Sequence, residues 1–343
     1  MDKVRVGIVG AGIGRLHGQT FRKCTDAEVA AICDVDEARA RAAAEELDVP
    51  SVFTDYRRMM AEDGINAIAV CTPNAYHAPV AIAALQSGKH VLCEKPLAMN
   101  AVEGAKMVRA AKKAGKVLMI GFNNRFRGDT RLLKKYIEDG ELGEIYYAKT
   151  GWVRRRGTPG VGGWFTTKAL SGGGPLIDLG VHVLDLALWL MGNPKPVSVT
   201  GSTYSVLAVK RAAEGGGTYD VEDLAAAFVK LENGATVILE ASWESHIARE
   251  EIYTKLIGTE GGAELDPLRI YKDNHGSPVD ITPQFKAIPG HELEIRHFVD
   301  CVKGESKCIS TGEHGLHVMR ILDAIYESAQ TGRAVDIRGA ELE

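Results

Sequence analysis

The sequence has 343 residues, of which 45% are hydrophobic and 25% charged, and its formal net charge is −4. This length favours two domains, and the hydrophobic content can bury sizeable cores, which excludes a disordered chain. The near-balanced charge argues against nucleic acid as the main partner.

The start of the chain gives no sign of secretion, because it enters a predicted strand without a basic segment, an apolar segment and a cleavage site. No apolar run reaches the roughly 18 residues that span a bilayer. The six cysteines contain no CxxC pair, so we expect buried free thiols and no metal site. These features predict a cytoplasmic protein without a membrane partner.

Short apolar runs alternate with helical patterns over the first third of the chain. The predicted strands are Val4–Val9, Val29–Cys33, Ala67–Cys71, Val91–Cys93 and Val117–Gly121. The predicted helices are Leu16–Cys24, Glu37–Leu47, Ala78–Ser87 and Ala101–Ala114. Such alternation with near-continuous apolar strands predicts a parallel sheet covered on both faces, a doubly wound Rossmann domain over residues 1–122.

The pattern changes after about Phe122 and predicts an α+β domain over residues 123–343. Its predicted helices are Thr130–Glu138, a strongly apolar one at about Pro175–Met191, Glu292–Val302 and Gly315–Ala329. Its predicted strands are Glu144–Trp152, Val197–Tyr204, Leu224–Leu231, Ala235–Trp243 and Ile252–Ile257. Asn233-Gly234 between two of them indicates a hairpin, so we expect a mainly antiparallel open sheet.

A glycine-rich turn follows the first predicted strand. Gly10 and Gly12 fit a GxGxxG fingerprint, in which the missing Cβ lets a pyrophosphate approach the backbone. The third glycine comes one residue early, at Gly14, so its packing role is open. The strand before the turn and the helix after it favour a dinucleotide site, which Ile13 also borders, over a purely structural turn.

The second predicted strand ends at Asp34, 24 residues after Gly10, close to the spacing of about 20 for a ribose-binding acid. A carboxylate there accepts hydrogen bonds from the adenosine ribose and repels a 2′-phosphate. We therefore expect NAD rather than NADP, although Arg39 one turn later could weaken that preference. The alternative is that Asp34 only caps the next helix.

The segment from Cys71 to His77 follows another predicted strand, and ligands of doubly wound sheets bind beyond the carboxyl ends of the strands. Thr72, Pro73 and Asn74 are therefore placed to contact the cofactor. His77 belongs to the same turn, where a capping or packing role is the alternative.

The apolar helix that begins near Leu176 carries three ionisable residues, Asp178, His182 and Asp185. Their spacings of four and three put them on one helical face. A helix that is apolar nearly all round is buried, and ionisable groups on it cost free energy unless they are paired or used in a reaction. They are therefore catalytic candidates, with a satisfied core Asp–His pair as the alternative.

Several motifs in this order resemble the Gfo/Idh/MocA oxidoreductase family. They are Glu94-Lys95-Pro96 after a strand, the Thr72-Pro73-Asn74 turn, Gly121-Phe-Asn-Asn-Arg125-Phe126, and the segment Gly172–His182. The resemblance covers nearly the whole chain. It implies an NAD-dependent dehydrogenase that moves a hydride to or from a hydroxyl or keto group of a sugar or cyclitol.

The resemblance also implies that Lys95, Asp178 and His182 form the catalytic group. Histidine, with a reference pKa of about 6.5, suits reversible proton transfer, so His182 is the expected general acid/base. Lys95 would stabilise charge on the reacting oxygen, and Asp178 would orient the substrate or the charged groups. The expected cofactor residues are Gly10, Gly12, Ile13, Gly14, Asp34, Thr72, Pro73, Asn74, His77, Glu94 and Lys95.

Substrate contacts are expected from Lys95, Asp178 and His182 and from three further residues: Arg125, Trp152 and Trp164. Tryptophan faces often cover sugar rings, but ordinary packing is an equal alternative for both tryptophans. The run Arg154–Arg156 suits an anionic sugar, although such runs are more often solvated.

Two other functions fit the resemblance. One is an enzyme that retains NAD and cleaves glycosidic bonds through transient oxidation, and the other is a non-catalytic, ligand-sensing regulator. An intact Lys95, Asp178 and His182 argues against the regulator. Relatives associate through the open face of the second-domain sheet, which implies a homodimer or homotetramer.

Overall fold

The computed structural model describes residues 3–339. It divides into two compact units, which we describe separately. The first contains Met1–Asn123 and Pro289–Leu316, and the second contains Asn124–Ile288 and His317–Glu343. The division near residue 123 agrees with the sequence pattern, but the prediction of two contiguous domains missed the return of 289–316 to the first unit.

The first unit is a doubly wound α/β domain. Its strands are β1 Val4–Val9, β2 Ala27–Cys33, β3 Ser51–Phe53, β4 Ala67–Val70, β5 His90–Glu94 and β6 Leu118–Gly121. Its helices are α1 Gly14–Phe21, α2 Glu37–Leu47, α3 Tyr56–Met60, α4 His77–Gln86, α5 Ala101–Ala114 and, late in the chain, α10 Gly290–Val302. The strand order is β3-β2-β1-β4-β5-β6 and all neighbours are parallel, which confirms the predicted Rossmann fold.

Local capping explains why the bounds of α2 and α5 match the sequence prediction. The side chains of Asp36 and Asn100 accept hydrogen bonds from backbone N–H groups in the first turns of α2 and α5. Gly115 ends α5 in the left-handed conformation, with φ of +62°. The carboxyl ends of the strands lead directly into the glycine turn, Asp34, Thr72 and Lys95.

The segment 289–316 belongs to the first unit through specific contacts. Phe298 of α10 packs edge-on against Phe21 of α1, with ring centroids 6.3 Å apart. Arg296 pairs with both carboxylate oxygens of Asp26 at 2.6 and 2.7 Å. Ser310 exchanges two hydrogen bonds with Ile120 of β6, one from the Ile120 N–H at 2.9 Å and one from its own hydroxyl at 2.6 Å. These contacts join positions far apart in the sequence, so periodicity could not reveal them.

The second unit is an α+β domain built on a nine-stranded sheet. Its strands are β7 Ile145–Val153, β8 Pro196–Tyr204, β9 Leu224–Leu231, β10 Thr236–Ser242, β11 Glu251–Gly258, β12 Gly262–Leu265, β13 Arg269–Asn274, β14 Ser277–Ile281 and β15 Val335–Asp336. Its helices are α6 Gly128–Glu138, α7 Lys168–Ser171, α8 Val181–Leu190, α9 Val206–Gly215 and most of α11 Gly312–Thr331.

The sheet order is β14-β13-β12-β11-β7-β10-β9-β8-β15. All pairs are antiparallel except β7 with β10, so the predicted mainly antiparallel sheet is confirmed. The predicted hairpin lies between β9 and β10, where Gly234 has φ of +85°. Val237, Leu239 and Ala241 are buried on one face of β10, as the alternation predicts.

By length and composition alone, the stretch Lys168–Leu190 could cross a membrane. The sequence analysis predicts no apolar run of that length. In the structure 89% of an 18-residue apolar part of this stretch is buried inside the protein, as in a core helix. The stretch is not one regular helix, because a π-helical turn at Leu176–Gly180 precedes α8. Such turns often occur at functional sites.

Candidate active site

The glycine turn after β1 leaves room for a ligand at the backbone. Gly10 has φ of +100°, and a Cβ there would lie 2.3 Å from the carbonyl oxygen of Cys71. A Cβ on Gly12 would meet no described atom within 4 Å, so this glycine faces open space. A Cβ on Gly14 would lie 2.7 Å from Ile8, so Gly14 allows α1 to pack on β1 despite its early position. The neighbouring Ile13 is partly exposed.

Asp34 is fixed at the end of β2 beside this turn. It accepts hydrogen bonds from the N–H groups of Ala11 at 2.9 Å and Asp36 at 3.0 Å. Arg39 contacts both of its oxygens, at 2.8 and 3.1 Å. Burial raises the pKa of Asp34, but these hydrogen bonds outweigh burial and hold the pKa below its usual value. Asp34 is therefore an anion, and Asp36, not Asp34, caps α2.

The segment after β4 contributes further polar groups. The Oγ1 of Thr72 is buried and has no hydrogen-bond partner among residues 3–339. Pro73 precedes the 3₁₀ turn Asn74–Tyr76, and Asn74 is buried. An orphaned hydroxyl, an open glycine and an anionic Asp34 around one turn fit a dinucleotide.

His77 joins two backbone segments. Its Nδ1 lies 2.7 Å from the carbonyl oxygen of Pro96, and its Nε2 lies 3.0 Å from that of Thr72. Burial lowers the pKa of His77, and the hydrogen bonds to the two carbonyl oxygens oppose that shift. At 1% exposed, His77 positions the turns rather than offering a free ring to the cofactor.

Glu94, the last residue of β5, forms a buried ion pair with His17 of α1. Their Oε1 and Nε2 atoms are 2.6 Å apart. Burial opposes ionisation of Glu94, but the hydrogen bond and charge of His17 outweigh it and lower its pKa to about 2. Burial lowers the pKa of His17, yet contacts with Cys71 and Glu94 raise it well above its usual value. Because Glu94 also accepts the Lys95 N–H at 3.3 Å, the pair holds the backbone at Lys95.

In the second unit, Glu222 anchors the start of the apolar helix. Its carboxylate accepts the N–H groups of Gly174 at 2.9 Å and Leu176 at 3.1 Å, and the hydroxyl of Tyr326 at 2.9 Å. Burial raises the pKa of Glu222. The sequence analysis missed this residue, because its partners lie 46 to 104 positions away.

Asp178 and His182 lie at the π turn and the first turn of α8. The indole Nε1 of the fully buried Trp243 donates to Asp178 at 2.9 Å, which fixes the carboxylate. The ring of His182 lies 6.0 Å from that of Trp152, tilted by 46°. The helix therefore presents an oriented acid and an imidazole next to an indole, a set that can transfer a proton beside a ring-shaped substrate.

Asp185, the third ionisable residue of this helix, is used differently. It forms a two-point ion pair with Arg125 at 2.5 and 2.8 Å, and both residues are 0% exposed. The guanidinium also lies 5.8 Å from the Trp189 ring. This buried pair favours a structural role for Arg125 over the predicted substrate contact.

The polar groups around Trp152 belong to three separate contacts. Trp152 donates its indole N–H to Glu250 at 2.7 Å, and Arg154 contacts the same oxygen at 3.3 Å while lying 5.0 Å from the indole centre. Arg155 bonds to the Ala248 carbonyl and Arg156 to Glu244. The arginine run therefore does not form one anion site.

Trp164 stacks on Phe165, with ring centroids 3.8 Å apart, and Phe165 packs against the buried apolar cluster that contains Trp243.

Comparison with known proteins agrees with this geometry. Residues 4–122 match the family model for the oxidoreductase family with an NAD-binding Rossmann fold, and residues 130–264 match the GFO/IDH/MocA C-terminal domain. The chain is 35% identical to D-glucoside 3-dehydrogenase of Escherichia coli K12, covering 97% of both chains. It is 27% identical to myo-inositol 2-dehydrogenase of Thermotoga maritima, covering 97% of this chain and 98% of the relative.

A solved structure of levoglucosan dehydrogenase in complex with NADH and levoglucosan superposes with a TM-score of 0.86. It is 26% identical, and the match covers 98% of this chain and all of that one. The predicted fold and cofactor class are thereby confirmed: the chain is a member of the Gfo/Idh/MocA family of NAD-dependent oxidoreductases.

Proposed function

We propose that the chain oxidises a ring hydroxyl of a sugar, glycoside or cyclitol with NAD as the acceptor, or runs the reverse reduction. The observation that carries the proposal is the placement of His182 next to Trp152, because an imidazole can take a hydroxyl proton while an indole face covers the ring. The names of the relatives, a glucoside, an inositol and a levoglucosan dehydrogenase, support a ring-shaped polyol.

Each proposed catalytic residue has one role. His182 accepts the hydroxyl proton during oxidation and returns it during reduction. Lys95, whose backbone Glu94 holds, donates a hydrogen bond to the reacting oxygen and stabilises its negative charge. Asp178, fixed by Trp243, orients the charged groups and the substrate. NAD, when bound, supplies the carbon that takes up the hydride, and Gly10, Gly12, Asp34, Thr72 and Asn74 would hold it.

The direct test measures NADH absorbance with a panel of inositols, aldoses, methyl and aryl glycosides and sugar acids. We expect NADH with at least one neutral ring substrate. Heat-inactivated protein and open-chain polyols serve as controls. Release of an aglycone without net NADH would instead indicate cleavage through transient oxidation, and no reaction with any ring would contradict the proposal.

A preference for NAD over NADP is expected because the anionic Asp34 would repel a 2′-phosphate. Asp34→Ala should lower the preference for NAD, measured as kcat/KM with NAD divided by kcat/KM with NADP, by about tenfold. A factor of ten is roughly the contribution of one charge-assisted hydrogen bond. Arg39→Ala is the matched variant, since it keeps the carboxylate and removes the cation beside it. A wild-type enzyme that is faster with NADP would contradict this assignment.

The open face of the second-unit sheet supports a homodimer or homotetramer. Phe228 on β9 and Ile257 on β11 are 40% and 43% exposed, whereas Val229 and Leu256 on the opposite face are buried. The same face carries the Lys149–Glu240 ion pair, so it mixes exposed apolar and charged side chains, a composition that suits an interface between copies of the chain. We place this assembly in the cytoplasm, without nucleic-acid or membrane partners. Light scattering that gives a monomer mass at micromolar concentration would count against the interface.

A further inference from the structure

Two cysteines of the first unit converge on one histidine, and none of the three is among the residues assigned to NAD. His297 and Cys301 lie one turn apart on α10, and Cys308 lies in the segment before α11. Their ligand atoms all lie within 4.8 Å of one another. Cys301 is buried, whereas Cys308 is partly exposed and follows the exposed residues Gly304–Lys307. The sequence analysis expected only inert buried thiols here.

Two contacts define the surroundings of His297 Nε2. The backbone N–H of Ile309 can only donate, and it lies 3.1 Å from His297 Nε2, so this nitrogen carries a lone pair. The Cys301 sulfur lies 3.4 Å from the same nitrogen. The Ile309 N–H therefore occupies the Nε2 lone pair and holds the imidazole beside the Cys301 sulfur.

The surroundings also distinguish the two sulfurs. A hydrogen bond from Cys301 lowers the pKa of Cys308 to about 5; burial opposes this, and hydrogen bonds from His297 and the Ser310 backbone assist it. The same pairing raises the pKa of Cys301. Cys308 is also the more exposed of the two sulfurs, so a peroxide reaches it first, and Cys301 lies close enough to act as the resolving cysteine.

We propose that Cys301 and Cys308 form a reversible intramolecular disulfide on reaction with a hydroperoxide, with Cys308 as the attacking sulfur. The Cys308 thiolate attacks a peroxide oxygen, an S–O bond forms, the O–O bond breaks, and the leaving oxygen takes a proton as water or alcohol. The Cys301 sulfur then attacks Cys308, the S–S bond forms, and the departing hydroxide takes the thiol proton as water. Two thiols lose two electrons and the peroxide gains them.

This site is independent of the proposed function, and its position gives oxidation a structural consequence. Cys308 lies two residues before Ser310, which pairs with Ile120 of β6. The disulfide would close an eight-residue ring that ties the end of α10 to the segment lying on this sheet edge. A zinc site is the competing use of these residues. It is disfavoured because Ile309 already occupies the imidazole lone pair and only three ligand atoms meet among residues 3–339.

The test treats the reduced full-length protein with hydrogen peroxide, alkylates the remaining thiols and digests it with trypsin without reduction. Because Lys303 and Lys307 separate the cysteines, a disulfide joins the peptides 297–303 and 308–320. We expect this linked pair, two mass units below the sum of the two peptides, and its loss on reduction. Cys301→Ser should leave a sulfenic acid on Cys308 that dimedone traps, and Cys308→Ser should slow oxidation of Cys301 at least about tenfold.

Cys24→Ser is the matched control and should leave the linked pair unchanged, since Cys24 lies outside the cluster. Two results would overturn the proposal. One is oxidation of Cys308 no faster than that of Cys24. The other is one equivalent of zinc in the purified protein that is lost in Cys308→Ser, which would make the cluster a metal site.

Discussion

Replacing His182 with alanine should lower kcat about 10²- to 10⁴-fold and leave the affinity for NAD nearly unchanged. The factor is the usual contribution of a positioned general acid/base, which the alanine removes. NAD affinity should persist because the residues proposed to hold the dinucleotide lie on β1, β2, β4 and their turns. Single-turnover hydride transfer and NAD binding by fluorescence measure the two quantities separately.

The control for this variant is His246→Ala, which removes an exposed histidine of the same unit. Lys95→Ala should lose a comparable factor, and the double variant should lose less than the product of the two if both groups act on one oxygen as proposed. If His182→Ala transferred hydride at nearly the wild-type rate and only melted earlier, His182 would be a core residue and the catalytic assignment would be wrong.

Asp185→Asn should destabilise the protein by about 3–5 kcal/mol, because it leaves the Arg125 guanidinium buried against a neutral amide. Burial raises the pKa of Asp185 even though Arg125 is in contact, which shows how costly desolvation is at this position. For a unit of this size the change lowers Tm by roughly 10 °C. Thermal melts and urea titrations of the apo protein measure it without a substrate.

Glu138→Gln is the matched control, since Glu138 is 62% exposed and 4.0 Å from Lys134 in the same unit. It should change stability by no more than about 0.5 kcal/mol. The double variant Arg125→Met with Asp185→Leu should recover most of the loss, because apolar residues can replace a buried pair. If Asp185→Asn instead melted at the wild-type temperature but bound substrate poorly, Arg125 would be a substrate-binding residue.

The sequence predicted well wherever the signal was local. The predicted bounds of α2 and α5 match the structure, in which Asp36 and Asn100 cap the two helices, and the hairpin followed from Asn233-Gly234. The strands β13 and β14 were missed because they are rich in polar, exposed residues with weak apolar alternation, and β12 because it has only four residues and two apolar side chains.

The same distinction between local and long-range signals applies to the candidate site. Gly10, Gly12 and Asp34 were predicted because a dinucleotide fixes their spacing in the chain. The roles of Glu222, Trp243 and His17 were not, since each depends on a partner at least 46 residues away that only the fold supplies. Arg125 shows another limit, because its motif position predicts a substrate contact, whereas its ion pair with Asp185, 60 residues away, depends on the fold.

The return of 289–316 to the first unit also affects how the protein is made. Residues 1–123 leave the ribosome long before α10, so during synthesis of about half of the chain Phe21 lacks Phe298 and the β6 edge lacks Ser310. Unpaired strand edges and bare apolar faces invite association with other chains. The first unit is therefore an incomplete folding unit while the chain is being made. Its last segment, 289–316, completes it only when nearly the whole polypeptide has emerged.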